Sequence, residues 1–125
     1  MDPGFSVIDA AIVKMNKGKY ALVLKDNTRK NRNMKIAFAD HAIGPYTNVS
    51  AAFTDNLTEG PSVVRVKDKW LVYYDAYGEK KYLAKATTDF KSFQDVRAEV
   101  QLPEGHKHGT IVKVPKKLIR NILNK

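Results

Sequence analysis

An internal repeat restricts the fold of this chain more than any other feature of its sequence, because repeats of this length build one structural unit several times. Residues 9–25 align without a gap with residues 59–75, at a constant offset of 50 residues. Each copy contains a carboxylate, a short β-branched strand, a polar turn, and a second strand that begins with an aromatic residue. The repeat predicts two equivalent β units.

The match continues after a loop that is three residues shorter in the second copy, where 36–40 correspond to 83–87 and 46–49 to 93–96. Each copy therefore holds four strand-like stretches. A third copy starts at 108–114, and only its first strand is present. Four short antiparallel strands in about 40 to 50 residues are typical of a β-propeller blade, although a meander or a β-sandwich has similar spacing.

At the end of the chain the apolar residues change from strand spacing to helical spacing. After Pro115, an apolar face recurs at helical spacing, formed by Leu118, Ile119, Ile122 and Leu123. We therefore predict an all-β fold, a partial propeller of about two blades plus one strand, with a short C-terminal helix. The predicted blade-like units are 6–55 and 56–105, the inner strand of the next blade is 106–114, and the helix is 115–125.

The repeat also predicts a site. Asp9, Glu59 and His108 each stand at the start of the first strand of their unit. Since the first strand of every blade borders the central channel, these side chains should meet at one mouth of it. Acidic residues before strands are often turn residues. Asp9 and Glu59, however, adjoin apolar strands, where a carboxylate is costly unless it is paired or functional.

Three further residues are candidates for contacting a ligand at this mouth: Lys25, Asp75 and Tyr77. Lys25 and Asp75 are equivalent positions that end the second strands of their units. Solvated strand ends explain such residues equally well. Tyr77 belongs to an aromatic-rich region around the second unit, where most aromatic side chains, Trp70 included, are expected to pack in the core.

The composition argues against several classes of protein. The net charge of +9 favours anionic partners, but the basic residues are spread over turns and strand edges and cluster only at 29–32 and 116–117. We therefore expect no nucleic-acid partner. The absence of cysteine excludes disulfides and thiolate chemistry. No apolar run approaches the roughly 20 residues of a membrane span, so we expect no membrane partner. The first residues lack the pattern of a signal peptide.

Three segments carry a resemblance to a known family: Ile8–Val13, Glu59–Val63 with its Glu-Gly-Pro start, and the His-Gly-Thr of 108–110. Their order and spacing over nearly the whole chain resemble glycoside hydrolase family 43. The resemblance implies a five-bladed β-propeller that cleaves arabinosyl or xylosyl linkages of plant polysaccharides with inversion. Members are often secreted or periplasmic, and the localisation of this chain stays open.

The resemblance also implies roles. Glu59 matches the general acid that protonates the departing glycosidic oxygen, and Asp9 matches the family's pKa-modulating aspartate, which also orients the acid. His108 matches a channel histidine that in some members helps to hold a structural calcium through water. No cofactor is otherwise expected.

The chain departs from the family pattern at one essential point. An inverting hydrolase needs a second catalytic carboxylate, the general base, to activate water. In the family this base lies on the first blade, and no residue here matches it, since Asp2 lacks the expected strand context. Two blades and one strand also cannot close a ring of five.

We therefore expect a fragment that is inactive alone and that needs amino-terminal blades or self-association. The alternatives are a carbohydrate-binding propeller segment without turnover and a basic domain that recognises anionic polymers.

Overall fold

The first repeat folds into a three-stranded antiparallel sheet. A computed structural model describes residues 2–100, 102 and 105–124. The strands are β1 (Val7–Lys14), β2 (Tyr20–Asp26) and β3 (Asn33–Ala39), in the order β1-β2-β3. A short 3-10 turn, Asn16–Gly18, joins the first two strands. The stretch predicted as a fourth strand makes only an isolated bridge between Phe38 and Thr47.

The second repeat forms its own antiparallel sheet of four strands in sequence order. These strands are β4 (Glu59–Val66), β5 (Lys69–Ala76), β6 (Lys81–Thr87) and β7 (Gln94–Asp95). A single helix, α1 (Lys116–Leu123), is found among the described residues. The predicted all-β fold with a short C-terminal helix is confirmed. None of the described helical residues forms a span long and apolar enough to cross a membrane.

The main core lies between the two sheets. Since side chains alternate along a strand, one face of each sheet is apolar and packs against the other. The buried members of this core come from both repeats and are Ala21, Val23, Met34, Ile36, Trp70, Val72 and Phe90. The rings of Trp70 and Phe90 lie 5.1 Å apart, and those of Phe53 and Phe93 are stacked at 4.1 Å.

The outer face of the first sheet is also apolar but is only partly covered. Leu24, Ala37 and Tyr46 are buried there, whereas Ile12 and Ile43 are exposed. Helix α1 likewise exposes its apolar side chains, Leu118, Ile119, Ile122 and Leu123. The chain thus shows unpaired apolar surface at both of its ends.

The predicted inner strand at 106–114 is not a strand in the structure. Of these residues, Ile111 donates its backbone N–H to the Ser62 hydroxyl at 2.8 Å, and Gly109 offers its carbonyl to the Tyr82 hydroxyl at 2.7 Å. A strand needs a ladder partner, but the residues that follow form helix α1 instead of a second strand. The segment is therefore held by side chains of the second sheet.

Candidate functional site

The site begins with a β-bulge at the start of each inner strand. In β1, two residues between Ile8 and Ala11 oppose one residue of β2, and in β4 two residues between Glu59 and Ser62 oppose one residue of β5. Bulges bend a strand and redirect its side chains, often beside active sites. Because β1 and β4 are neighbours, the two bulges bring Asp9 and Glu59 to the same end of the sheets.

Each bulge contains one residue with a left-handed backbone. In β1 that residue is Asp9, with φ of 49°, and in β4 it is Gly60, with φ of 61°. Aspartate is among the side chains that tolerate this conformation, and glycine adopts it freely. A Cβ atom built on Gly60 would overlap the imidazole of His108. The glycine of the Glu-Gly-Pro motif is thus what allows His108 to lie against β4.

His108 lies between the two predicted catalytic carboxylates. Its Nε2 is 3.6 Å from Asp9 Oδ2, and its Nδ1 is 3.8 Å from Glu59 Oε1. Asp9 Oδ2 also accepts a hydrogen bond of 3.2 Å from the backbone N–H of Gly60. The structure therefore brings together Asp9, Glu59 and His108, which the repeat alone had placed at a common mouth.

A buried lysine holds Glu59. Lys25 Nζ donates to Glu59 Oε2 at 2.5 Å, and Lys25 is 3% exposed whereas the Glu59 side chain is 26% exposed. The Lys25 ammonium also lies 5.2 Å from the centre of the Tyr77 ring, within cation–π range. A bond of this length between opposite charges fixes the position of the Glu59 carboxylate.

The buried Asp75 carboxylate is bonded to the backbone of His108. It is 3% exposed, it pairs with Glu59 across β4 and β5, and its Oδ2 accepts the backbone N–H of His108 at 3.4 Å. Lys25 and Asp75 are therefore not solvated strand ends. The sequence placed Lys25 and Asp75 near the site but did not indicate the ion pair, because Lys25 pairs with Glu59 of the other repeat and not with its own equivalent, Asp75.

The mouth of the site is a shallow, open cavity, lined by Asp9, Ala10, Gly60, Pro61, His108, Gly109 and Thr110. The His108 side chain is 52% exposed, so it faces this opening. Asp9 and His108 line this opening, and the Glu59 carboxylate lies 3.8 Å from the His108 imidazole but does not line the opening. These groups are suited to proton transfer and to hydrogen bonding with sugar hydroxyls.

A metal ion could be held by donor atoms of Glu59, Asp75 and His108, which lie within 4.8 Å of one another. Calcium prefers six to eight oxygen ligands. This donor set supplies carboxylate oxygens from two residues and an imidazole nitrogen, and Lys25 already occupies one Glu59 oxygen. The residues thus fit a calcium ion only if water completes its ligands and if the imidazole acts through water.

Comparison with known proteins identifies the family of the chain. The model of a family described as a probable glycosyl hydrolase domain, related to glycoside hydrolase family 43, matches residues 1–119. A comparison with curated proteins finds no match to this sequence. The family match covers both sheets, both bulges and the histidine segment, and the chain belongs to this family of probable glycosyl hydrolase domains.

Proposed function

We propose that the chain is part of a five-bladed β-propeller that hydrolyses arabinosyl or xylosyl linkages of plant polysaccharides with inversion. The observation that carries the proposal is the convergence of Asp9, Glu59 and His108 on neighbouring bulged strands. The two sheets supply two blades, each with its inner strand at the site. The incomplete apolar faces at the two ends of the chain support further blades or a second copy as neighbours.

In this proposal Glu59 gives its proton to the departing glycosidic oxygen. Asp9 modulates the acid and, through the Gly60 amide, fixes the bulge that carries it. His108 bridges the two carboxylates, and Lys25, Asp75 and Tyr77 contact or support the bound sugar. Calcium, if bound through water at Glu59, Asp75 and His108, would be structural.

The general base must come from elsewhere. Of the described acidic side chains, the site holds Asp9, Glu59 and Asp75, and Asp75 is too buried to activate a water in the open cavity. We propose that another segment or another copy supplies this carboxylate. A small anion can replace a missing base, because azide or formate can attack the anomeric carbon itself.

The experiment uses aryl glycosides of two sugars, arabinofuranose and xylopyranose. Each sugar is tested with phenol and with 2,4-dinitrophenol as the leaving group. Without azide the chain should release no product, and with azide it should form the inverted glycosyl azide. Glu59→Gln should slow cleavage of the phenyl glycoside about 10²- to 10⁴-fold, the range of general acid catalysis. The dinitrophenyl glycoside should be far less affected, since its leaving group needs no proton.

Glu79→Gln is the matched control, because Glu79 is an exposed carboxylate on the β5–β6 turn. It should leave both reactions unchanged. Equal loss of both substrates in Glu59→Gln, or no loss at all, would contradict the acid role of Glu59.

A carbohydrate-binding segment without turnover is the second candidate, and the Lys25–Glu59 pair favours it. A general acid must present a protonated carboxyl oxygen to the leaving group, and Lys25 Nζ occupies Glu59 Oε2 at 2.5 Å. The hydrolase proposal requires the sugar to displace Lys25 from Glu59. Calorimetric binding of arabino- or xylo-oligosaccharides, with no cleavage of either aryl glycoside in azide, would establish the second candidate.

A further inference from the structure

Exposed cations lie at the tips of two hairpins and beside His108, at the same end of the sheets as the site. We call them the basic rim: Arg29, Lys30 and Arg32 at the β2–β3 tip, Lys80 at the β5–β6 tip, and Lys107 beside His108. Both tips lie at the end of the sheets where β1 and β4 begin, because Val7 pairs with Asp26 and Glu59 pairs with Asp75. The rim and the carboxylates thus share one end of the fold.

Hydrogen bonds fasten both tips to the loop that leads into Glu59. Thr58 donates its backbone N–H to the carbonyl of Arg32 at 3.0 Å, and the Asn56 side chain donates to the carbonyl of Lys30 at 3.2 Å. From the other tip, Gly78 donates to the carbonyl of Leu57 at 3.2 Å. The residues bonded to the tips, Asn56, Leu57 and Thr58, therefore lie within three positions of Glu59.

The rim is not neutralised by its surroundings. Among the residues that the structure describes, none of its five cations forms a salt bridge. Of the acidic side chains at this end outside the mouth itself, Asp26 is buried and bonded to Lys35, and Glu79 lies beside Lys81 and Arg97. Asp55 is exposed in the loop between the tips but forms no salt bridge with a rim cation, so within the described part of the chain one free carboxylate stands against five cations. The opening is therefore flanked by positive charge that is available to a ligand.

We infer that the substrate is an acidic polysaccharide, with carboxylate or sulfate groups on sugars that flank the cleaved linkage. This inference rests on the proposed function and names the class of its substrate. A neutral sugar occupies the cavity beside Asp9 and Glu59, whose charges would repel an anion. Anionic sugars on either side then lie against the hairpin tips.

Nucleic acid fits this surface less well. Its phosphates would follow one another past the carboxylates at the centre of the mouth. Single strands also bind by stacking their bases on aromatic side chains, and the described Phe, Tyr and Trp side chains are all buried or only partly exposed. A glycan with alternating neutral and anionic sugars avoids both difficulties.

The experiment measures binding of the full chain by calorimetry at about 50 mM salt, where surface charges are weakly screened. The probes are a rhamnogalacturonan backbone, in which neutral rhamnose alternates with galacturonate, its carboxyl-reduced neutral form, a galactan in which neutral and sulfated sugars alternate, and a single-stranded DNA. The rim variant replaces Arg29, Lys30, Lys80 and Lys107 with glutamine. The matched variant removes the same charge from the opposite end of the sheets, at Lys14, Lys17, Lys67 and Lys91.

The rhamnogalacturonan backbone should bind at least about tenfold more tightly than its carboxyl-reduced form. The rim variant should lose most of that difference, because several exposed ion pairs of modest strength act together. The matched variant should lose less than about threefold. A preference for the carboxylated or for the sulfated glycan identifies the anion, and either result supports the inference.

Equal losses in the two variants, equal binding of the neutral form, or tighter binding of DNA would overturn it. Binding is the readout here and product formation is the readout of the proposed hydrolysis, so each can fail without the other.

Discussion

The Lys25–Glu59 pair should make the stability of the chain depend on these two residues in an unequal and non-additive way. Opposite charges 2.5 Å apart attract by about 6 to 7 kcal/mol at an effective dielectric constant of roughly 20. Desolvation of the nearly buried Lys25 cancels much of this attraction, and the Glu59 carboxylate, at 26% exposed, keeps part of its water.

Removing one partner therefore has a different cost from removing the other. Glu59→Gln leaves a buried ammonium without its anion and should lower the free energy of unfolding by about 3 kcal/mol. Lys25→Met leaves a carboxylate that water can reach, and should cost about 1 kcal/mol. The double variant should be more stable than Glu59→Gln alone, with a coupling energy of about 2 kcal/mol.

Urea unfolding of the four proteins at pH 7 measures this cycle, provided that the slope with denaturant stays constant. Losses that add within about 0.5 kcal/mol, or a Lys25→Met variant that is the less stable of the two, would refute the reasoning. The cycle also serves the activity experiment. If Glu59→Gln unfolds, the double variant restores a folded protein in which the loss of the acid can still be measured.

Two further predictions concern the bulge and the β2–β3 tip. Gly60→Ala should displace His108 from β4 and reduce binding and cleavage at the site at least about tenfold. Gly18→Ala is the control, because Gly18 is also left-handed but has open space around it, and it should leave both binding and cleavage intact. Equal effects of the two changes would contradict the packing role of Gly60. Although burial raises it, hydrogen bonds from Lys35, Thr28 and Asn31 hold the pKa of Asp26 well below its ordinary value. Asp26→Asn should therefore cost about 2 to 3 kcal/mol at pH 7 in urea unfolding, and the difference should shrink as the pH falls below about 4, because the ionised form is the stabilising one. Asp55→Asn, at an exposed acid of the next loop, should cost under about 0.5 kcal/mol, and a pH-independent loss in Asp26→Asn would refute the assignment.

The repeat was sufficient to predict much of the fold and the neighbours at the site. Alternation of side chains and the constant offset gave two antiparallel sheets, because both depend on local pattern. The offset also predicted that Asp9, Glu59 and His108 would meet, since equivalent positions of packed repeats are neighbours in space.

What the repeat could not show depends on contacts between its copies. The left-handed backbone of Asp9 and the place of His108 over Gly60 follow from bulges, which insert a residue without changing the apolar pattern. The ion pair joins Lys25 of one sheet to Glu59 of the other, so neither copy reveals it alone. The segment 106–114 matches the first strand of the repeat in sequence, but it has no neighbouring strand to form the ladder that a strand needs.

The loop 55–58 connects both hairpin tips to Glu59, so in the proposed function it would link polymer binding to the acid. It is bonded to both hairpin tips and continues directly into Glu59, so a polymer that engages the tips would immobilise the acid from two sides. Small aryl glycosides would reach only the cavity and would leave both tips without a ligand. Cleavage rates measured with them would then be lower than the rates with the polymer. Oligosaccharides of increasing length should show the chain length at which the full rate is reached.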